Sequence, residues 1–236
     1  MWVKICGNTN LEDAALAAEF GADAVGFVFA PSKRQVGVAE VAAITLHLPQ
    51  TVERVGVFDS HSAEHIAGAA LAAGLTTVQL HGGMDEALVD ALANRFAGRV
   101  RIIQTLHWAV DAPAPGTGPA AIAPQTTPDL LAAQFERIVT LGFADRVLID
   151  SKLGAALGGT GVSFDWAAAR RIFATAPTTV KLIVAGGLTP ENVAEAIAQL
   201  IPSGVDVSSG VEQSPRRKDP NRLKRFIQNA HGIKTP

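Results

Sequence analysis

The single cysteine of this 236-residue chain stands in Lys4-Ile5-Cys6-Gly7, closing a strand-like run just before a glycine that lets the backbone turn sharply. A lone cysteine can be a small buried hydrophobe or a proton-transfer group. With an ordinary pKa of about 8.5, only a few per cent is thiolate at neutral pH, so a basic role for Cys6 needs help from its surroundings. Asp150 ends a second apolar run, Val147-Leu148-Ile149, where a carboxylate can carry a proton or merely cap a loop. The glycine-rich stretch Gly154–Gly161 follows at once, and its Gly159 and Gly161 are candidates to close over a ligand with their amides facing an anion.

The anion signal comes in two further parts. Ala185-Gly186-Gly187 follows one apolar run and Ser208-Ser209-Gly210 follows the next, so Gly186, Gly187, Ser208, Ser209 and Gly210 are read as phosphate-binding. Arg34, in Ser32-Lys33-Arg34, has the planar fork that suits a substrate carboxylate, although loop arginines are commonly just solvated. By alternation, Lys4 shares the face of Cys6 about 7 Å away. A buried lysine demands a partner, and Asp206 is the natural one, as a structural ion pair; Asp206 is also counted with the substrate-binding candidates. Gln79 and His81 share a strand face and are read as lining the pocket, with a turn role equally open for His81. His61 and His65 have helical spacing but lack the glutamate of a metalloprotease motif, so no metal is expected. Arg216, Arg217, Lys218, Arg222, Lys224 and Arg225 read as a solvated helix and its lead-in.

Something must bring these strand ends together. Apolar, β-branched runs are expected as strands at 2–6, 24–29, 54–58, 77–80, 100–106, 146–150, 180–184 and 205–207. Ala-rich amphipathic stretches between them are expected as helices at 11–20, 39–48, 63–73, 86–96, 128–141, 166–175, 190–200 and 220–229. Strands apolar on both faces indicate a parallel sheet covered by helices. Eight such units in this length suit an α/β fold of one domain over 1–236, a closed (β/α)8 barrel whose chemistry sits at the strand C-termini. An open doubly wound sheet is the competing architecture. Its G-x-G-x-x-G fingerprint is missing from the first turn, which reads Cys6-Gly7-Asn8-Thr9-Asn10. Asp111–Thr127, rich in Pro, Gly and Ala, is expected as a surface loop.

With 48% hydrophobic residues the chain can build a large core, and its net charge of −2 asks for neither nucleic acid nor an anionic membrane. One cysteine permits no internal disulfide and suits a reducing compartment, so a cytoplasmic protein without leader peptide is expected.

Taken in order, VKICG at 3–7, SKR at 32–34, VGVF at 55–58, VQLHG at 78–82, LID at 148–150, GGTG at 158–161, FDW at 164–166, AGGLTPENV at 185–193 and DVSSGVE at 206–212 resemble the phosphoribosylanthranilate isomerase family. The resemblance runs from Val3 to about Ile227, and it is the joint order that is specific. It implies a TIM barrel and an Amadori rearrangement of N-(5-phosphoribosyl)anthranilate, a step of tryptophan biosynthesis. It implies Asp150 as acid at the furanose oxygen, Cys6 as base at sugar C2, and Arg34 on the anthranilate carboxylate. Neither metal nor organic cofactor is implied, because the iminium nitrogen takes the electrons. A monomer acting on one small phosphosugar is expected, with no turnover of the histidine-pathway aminoaldose. Other phosphosugar barrels are the rivals among enzymes: a synthase would present catalytic lysines, and an epimerase metal-binding histidines, which His81 alone does not supply. A non-catalytic phosphate-ligand binder is the rival from another class.

Overall fold

Period-two alternation decides which side chains enter the barrel and which meet the helices around it. A computed structural model describes residues 1–59, 61–110, 128–142, 144, 146–153, 170 and 180–233, with backbone alone at 108–110, 128–129 and 151–153. Among the described residues the strands are β1 (Trp2–Ile5), β2 (Ala24–Val28), β3 (Glu53–Phe58), β4 (Thr77–Leu80), β5 (Arg101–Val110), β6 (Arg146–Leu153), β7 (Lys181–Ala185) and β8 (Gly204–Val207). They pair in sequence order and close into a parallel barrel. The seam is β1 on β8, with Lys4 in register with Asp206. The helices are α1 (Leu11–Glu19), α2 (Val38–Thr45), α3 (Ala63–Ala72), α4 (Glu86–Phe96), α5 (Pro128–Leu141), α6 (Val193–Leu200) and α7 (Pro220–Gly232). None of them is long and apolar enough to cross a membrane.

Inward residues stack in layers. Ala24, Val55, Ile103, Leu148, Ile183 and Ala185 fill the middle as a separate apolar cluster. Below it lies a polar floor centred on Glu53, which accepts from Arg146 at 3.1 and 2.9 Å, Arg101 at 3.1 Å, Thr77 at 2.9 Å and the Trp2 indole at 3.3 Å. Arg146 also lies over the Trp2 ring, 5.1 Å from its centroid. The larger cluster packs outward-facing strand residues such as Val25, Phe27 and Val78 against the helices. Helix starts follow their side chains: Asn10 accepts from the Asp13 amide at 2.8 Å, and Asp219 caps α7 ahead of Pro220.

Three departures from the expected elements matter. β5 and β6 run past Leu106 and Asp150, and their register sets His107 directly beside Asp150. Helix α6 starts at Val193 rather than Pro190, because Thr189–Asn192 forms a separate turn. There the Asn192 side-chain Oδ1 accepts from the Thr189 amide at 2.8 Å, and its Nδ2 donates to the Gly187 carbonyl at 3.0 Å. Between β8 and α7 a short 3-10 turn (Ser209–Val211) leads into a ribbon of β9 (Glu212–Ser214) and β10 (Arg217–Lys218). The loop expected at 111–127 and, apart from Arg170, the helix expected at 166–175 lie outside the described residues.

Candidate active site

Cys6 follows β1 and is buried at the top of the barrel. Two residues below it, Lys4 reaches Asp206 across the seam with Nζ to Oδ1 at 3.0 Å, and its ammonium acts on the thiol above it. Gly26 on β2 makes this possible, since a Cβ there would lie 2.9 Å from both Cys6 Sγ and Lys4 Cε. Burial pushes the Cys6 thiol up; the Lys4 ammonium pulls it down without offsetting that, and Asp206 adds to the rise. Burial works against charge on Lys4 as well, but Asp206 and Cys6 outweigh it and hold Lys4 above the usual lysine range. The pair is buried as the sequence suggests, and it lies against the thiol.

A second lysine braces the same corner. Lys218 is buried, not solvated as its basic neighbourhood suggests, and its Nζ donates to the Cys6 carbonyl at 2.7 Å and the Ser208 carbonyl at 3.1 Å. It also meets Glu212 at 3.3 Å. β10 turns it inward while Arg216 and Arg217 stay outside. Glu212 in turn accepts Arg34 Nε and Nη2 at 2.7 and 2.6 Å. Arg34 therefore presents its Nη1 side rather than a whole fork to any ligand. Gly7, at φ +73, passes so close to Arg34 and Ser208 that a Cβ would collide with both.

Across the mouth stands Asp150. Its Oδ2 lies 4.0 Å from His81 Nε2 and 3.9 Å from His107 Nδ1, and the two imidazoles meet edge to face at 4.5 Å. The ligand-capable atoms of these three residues all fall within 4.8 Å of one another. Below them Gln79 is buried and donates Nε2 to Thr105 at 3.1 Å, while its Oε1 has no hydrogen-bond partner among the described residues. Between the two sides run the loops after β7 and β8. Gly186 and Gly187 adopt φ of +93 and +63, open to glycine without strain. Gly210 packs directly on the Leu188 carbonyl, leaving no room for a Cβ, so the two loops touch. Gly159 and Gly161 lie outside the described residues.

The family model for N-(5'phosphoribosyl)anthranilate (PRA) isomerase matches residues 3–116 and 121–229. The chain belongs to the PRA isomerase family. The PRA isomerase of Geobacter sp. (strain M21) is 38% identical over 97% of each chain. The solved PRA isomerase of Thermotoga maritima superposes with a TM-score of 0.78 at 37% identity, covering 99% of this chain and all of that one. A PRA isomerase solved in complex with reduced 1-(o-carboxyphenylamino)-1-deoxyribulose 5-phosphate gives 0.75 at 35% identity, covering 99% and 100%.

Within this PRA isomerase fold, sequence reasoning passed over two residues of the candidate site. Lys218 was hidden by five basic neighbours, and only the β9–β10 turn reveals its direction. His107 lay one residue beyond the expected end of β5, yet the alternation from Ile103 and Thr105 would have pointed it inward. His61, after β3, and His65, in the first turn of α3, stack on each other with ring centroids 4.8 Å apart and are not among the donor atoms grouped around Asp150.

Proposed function

We propose that this family member isomerises N-(5′-phosphoribosyl)anthranilate to 1-(2-carboxyphenylamino)-1-deoxyribulose 5-phosphate, with Asp150 as acid and Cys6 as base. The reading rests on one observation above all: a buried thiol beside the buried Lys4–Asp206 pair follows β1, and a half-buried carboxylate stands on β6 of the same barrel. Protonation of the furanose oxygen by Asp150 breaks the C1–O bond and leaves an iminium at C1. The Cys6 thiolate then takes the proton from C2, and that electron pair forms a C1=C2 double bond while the C1=N π pair moves onto nitrogen, giving an enolamine. Proton return to C1 and loss of the C2 hydroxyl proton give the ketone. C2 is oxidised and C1 reduced, so the step is an intramolecular aldose–ketose redox isomerisation that consumes no external electrons.

The raised thiol makes the thiolate that acts as base the minor form of Cys6, reached by loss of its proton to solvent, with Lys4 placed to stabilise the negative charge as it forms. The touching loops after β7 and β8 bring Gly186, Gly187, Ser208, Ser209 and Gly210 to one place for the sugar phosphate. Arg34, held by Glu212, takes the anthranilate carboxylate with its remaining edge. Gln79 and His81 line the floor and wall of the same mouth, and the role of Gly159 and Gly161 in binding the phosphate is carried by the family resemblance of their motif. One domain over 1–236, working as a cytoplasmic monomer in tryptophan biosynthesis, carries the whole site.

Loss of substrate fluorescence measures turnover. Cys6→Ser and Asp150→Asn should each lower kcat by about 10²–10⁴-fold with KM little changed. Near-normal kcat in Cys6→Ser returns the thiol to a packing role, and a pure KM effect in Asp150→Asn limits that carboxylate to binding.

A further inference from the structure

We infer that His81, His107 and Asp150 form a binding site for a borderline-soft divalent cation of the zinc type, and that its occupancy shuts the isomerase off.

Three neighbouring strands converge here. His81 follows β4, while His107 and Asp150 stand side by side in the β5–β6 register. The Asp150 oxygen lies 4.0 and 3.9 Å from the two imidazole nitrogens, and all three donor atoms sit within 4.8 Å. A tetrahedral zinc with bonds of about 2.0–2.1 Å needs donor separations of roughly 3.3–3.5 Å. Side-chain rotations of about an ångström supply the difference, and the side chains are partly exposed, at 30%, 27% and 21% for His81, His107 and Asp150.

A second observation points the same way. His107 Nε2 lies 2.7 Å from the His81 carbonyl oxygen. A carbonyl can only accept, so Nε2 carries the donated proton, and Nδ1 is the nitrogen turned toward Asp150 that can offer a lone pair to a cation. Nδ1 is buried and has no hydrogen-bond partner among the described residues. A histidine whose far nitrogen is anchored to a backbone carbonyl, with its lone pair aimed at a carboxylate, has the orientation that metal-ligating histidines receive from their outer contacts. Two imidazoles and one carboxylate select zinc, nickel or copper over magnesium or calcium. The sequence alone argues against metal because His81 stands by itself; the longer β5 supplies its companion.

The cation would engage the oxygen that the proposed reaction needs as an acid, so the inhibitory half of the inference rests on that reading of Asp150. Three ligands leave a fourth position open at the mouth, where the substrate must enter.

The site can be tested on the whole chain with Co²⁺ as a spectroscopic probe and Zn²⁺ by calorimetry, at neutral pH without chelator. One equivalent should bind, with the intense visible bands of tetrahedral nitrogen–oxygen coordination, and millimolar Mg²⁺ should not displace it. His107→Ala and, separately, Asp150→Asn should weaken binding by more than about 100-fold, beyond the roughly 10- to 100-fold effect of losing an outer contact. His61→Ala should leave it unchanged. Absence of saturable wild-type binding, or binding abolished by His61→Ala and kept by His107→Ala, overturns the site, and neither outcome depends on how a variant folds at Asp150. Zn²⁺ should also stop turnover reversibly, with EDTA restoring it. Zinc bound at this triad with turnover intact overturns both the inhibition and the role of Asp150 as acid, while leaving the cation site standing.

Discussion

Replacing Lys4 by Met together with Asp206 by Leu separates what the buried ion pair does for the fold from what it does for the thiol. Lys4 and Asp206 are 3.0 Å apart, with side-chain exposures of 0% and 11%. Swapping such a pair for apolar residues of similar volume is commonly neutral or stabilising by about 1–4 kcal/mol, because two desolvation penalties vanish along with the attraction. The thiol fares differently. An ammonium in contact with an anion, at about 4 Å, is worth about 4 kcal/mol at an effective dielectric of about 20, which bounds what Lys4 can give the forming thiolate. That corresponds to roughly three decades in the fraction ionised; Lys218 also acts on the thiol, so a loss of about 10²–10³ in turnover at neutral pH is expected. Asp206→Asn alone should do the reverse on both counts. It strands the Lys4 charge beside the thiol, which costs about 3–5 kcal/mol of stability, and it removes the carboxylate that pushes Cys6 up. Cys6 should therefore alkylate faster in Asp206→Asn and slower in the double variant than in the wild type, measured by iodoacetamide rate against pH. Urea melts give the stabilities, and substrate fluorescence gives the turnover. A double variant that melts, alkylates and turns over like the wild type would show that Lys4 is no counter-ion to Cys6.

Arg34→Ala should lose about 10- to 150-fold in kcat/KM, the value of a charge-assisted contact, and an analogue lacking the carboxylate should be turned over alike by variant and wild type. Glu212→Gln should reproduce part of that loss by freeing the fork, and equal damage on both substrates would assign Arg34 to the loop instead. Gly210→Ala forces a methyl onto the Leu188 carbonyl, so a loss of about 1–3 kcal/mol should appear as a KM raised roughly 5- to 150-fold; an unchanged KM in a folded variant would remove phosphate from this loop. Burial opposes the charge on Glu53, but Arg146, Thr77 and Arg101 outweigh it and hold its carboxyl below the usual range. Glu53→Gln should therefore cost about 2–4 kcal/mol at neutral pH, after discounting for partial exposure. The gap should begin to close below about pH 4.3, the usual carboxyl range, as pH falls toward the depressed value. A gap constant from pH 7 to pH 3 would mean that the floor is held by packing alone.

Barrel, seam and ion pair were legible because each is written in local alternation. Lys4 and Cys6 share a face by period two, and the only acid expected inside the strand that closes on β1 is Asp206. What stayed hidden depends on where elements stop and which way loops turn. β5 continues past Leu106 because β6 pairs with it for eight residues, a tertiary choice that apolar runs do not record, so His107 escaped notice. Lys218 differs from Arg217 only by the side of a two-residue strand. Arg34 stands out in the sequence as a loop arginine that could take a carboxylate, but its partner Glu212 lies 178 positions away, beyond any spacing rule.

The closing seam has a temporal meaning. Much of what hides and polarises Cys6, including Asp206 and the Lys218 that donates to its carbonyl, lies between Val205 and Lys218 and is made after the first seven strands. A nascent chain holding only the first seven strands would display the thiol at an unpaired sheet edge, open to alkylating or oxidising agents. Burial of that one sulfur therefore marks the moment of ring closure, and pulse-labelling of Cys6 on stalled chains of increasing length would clock it.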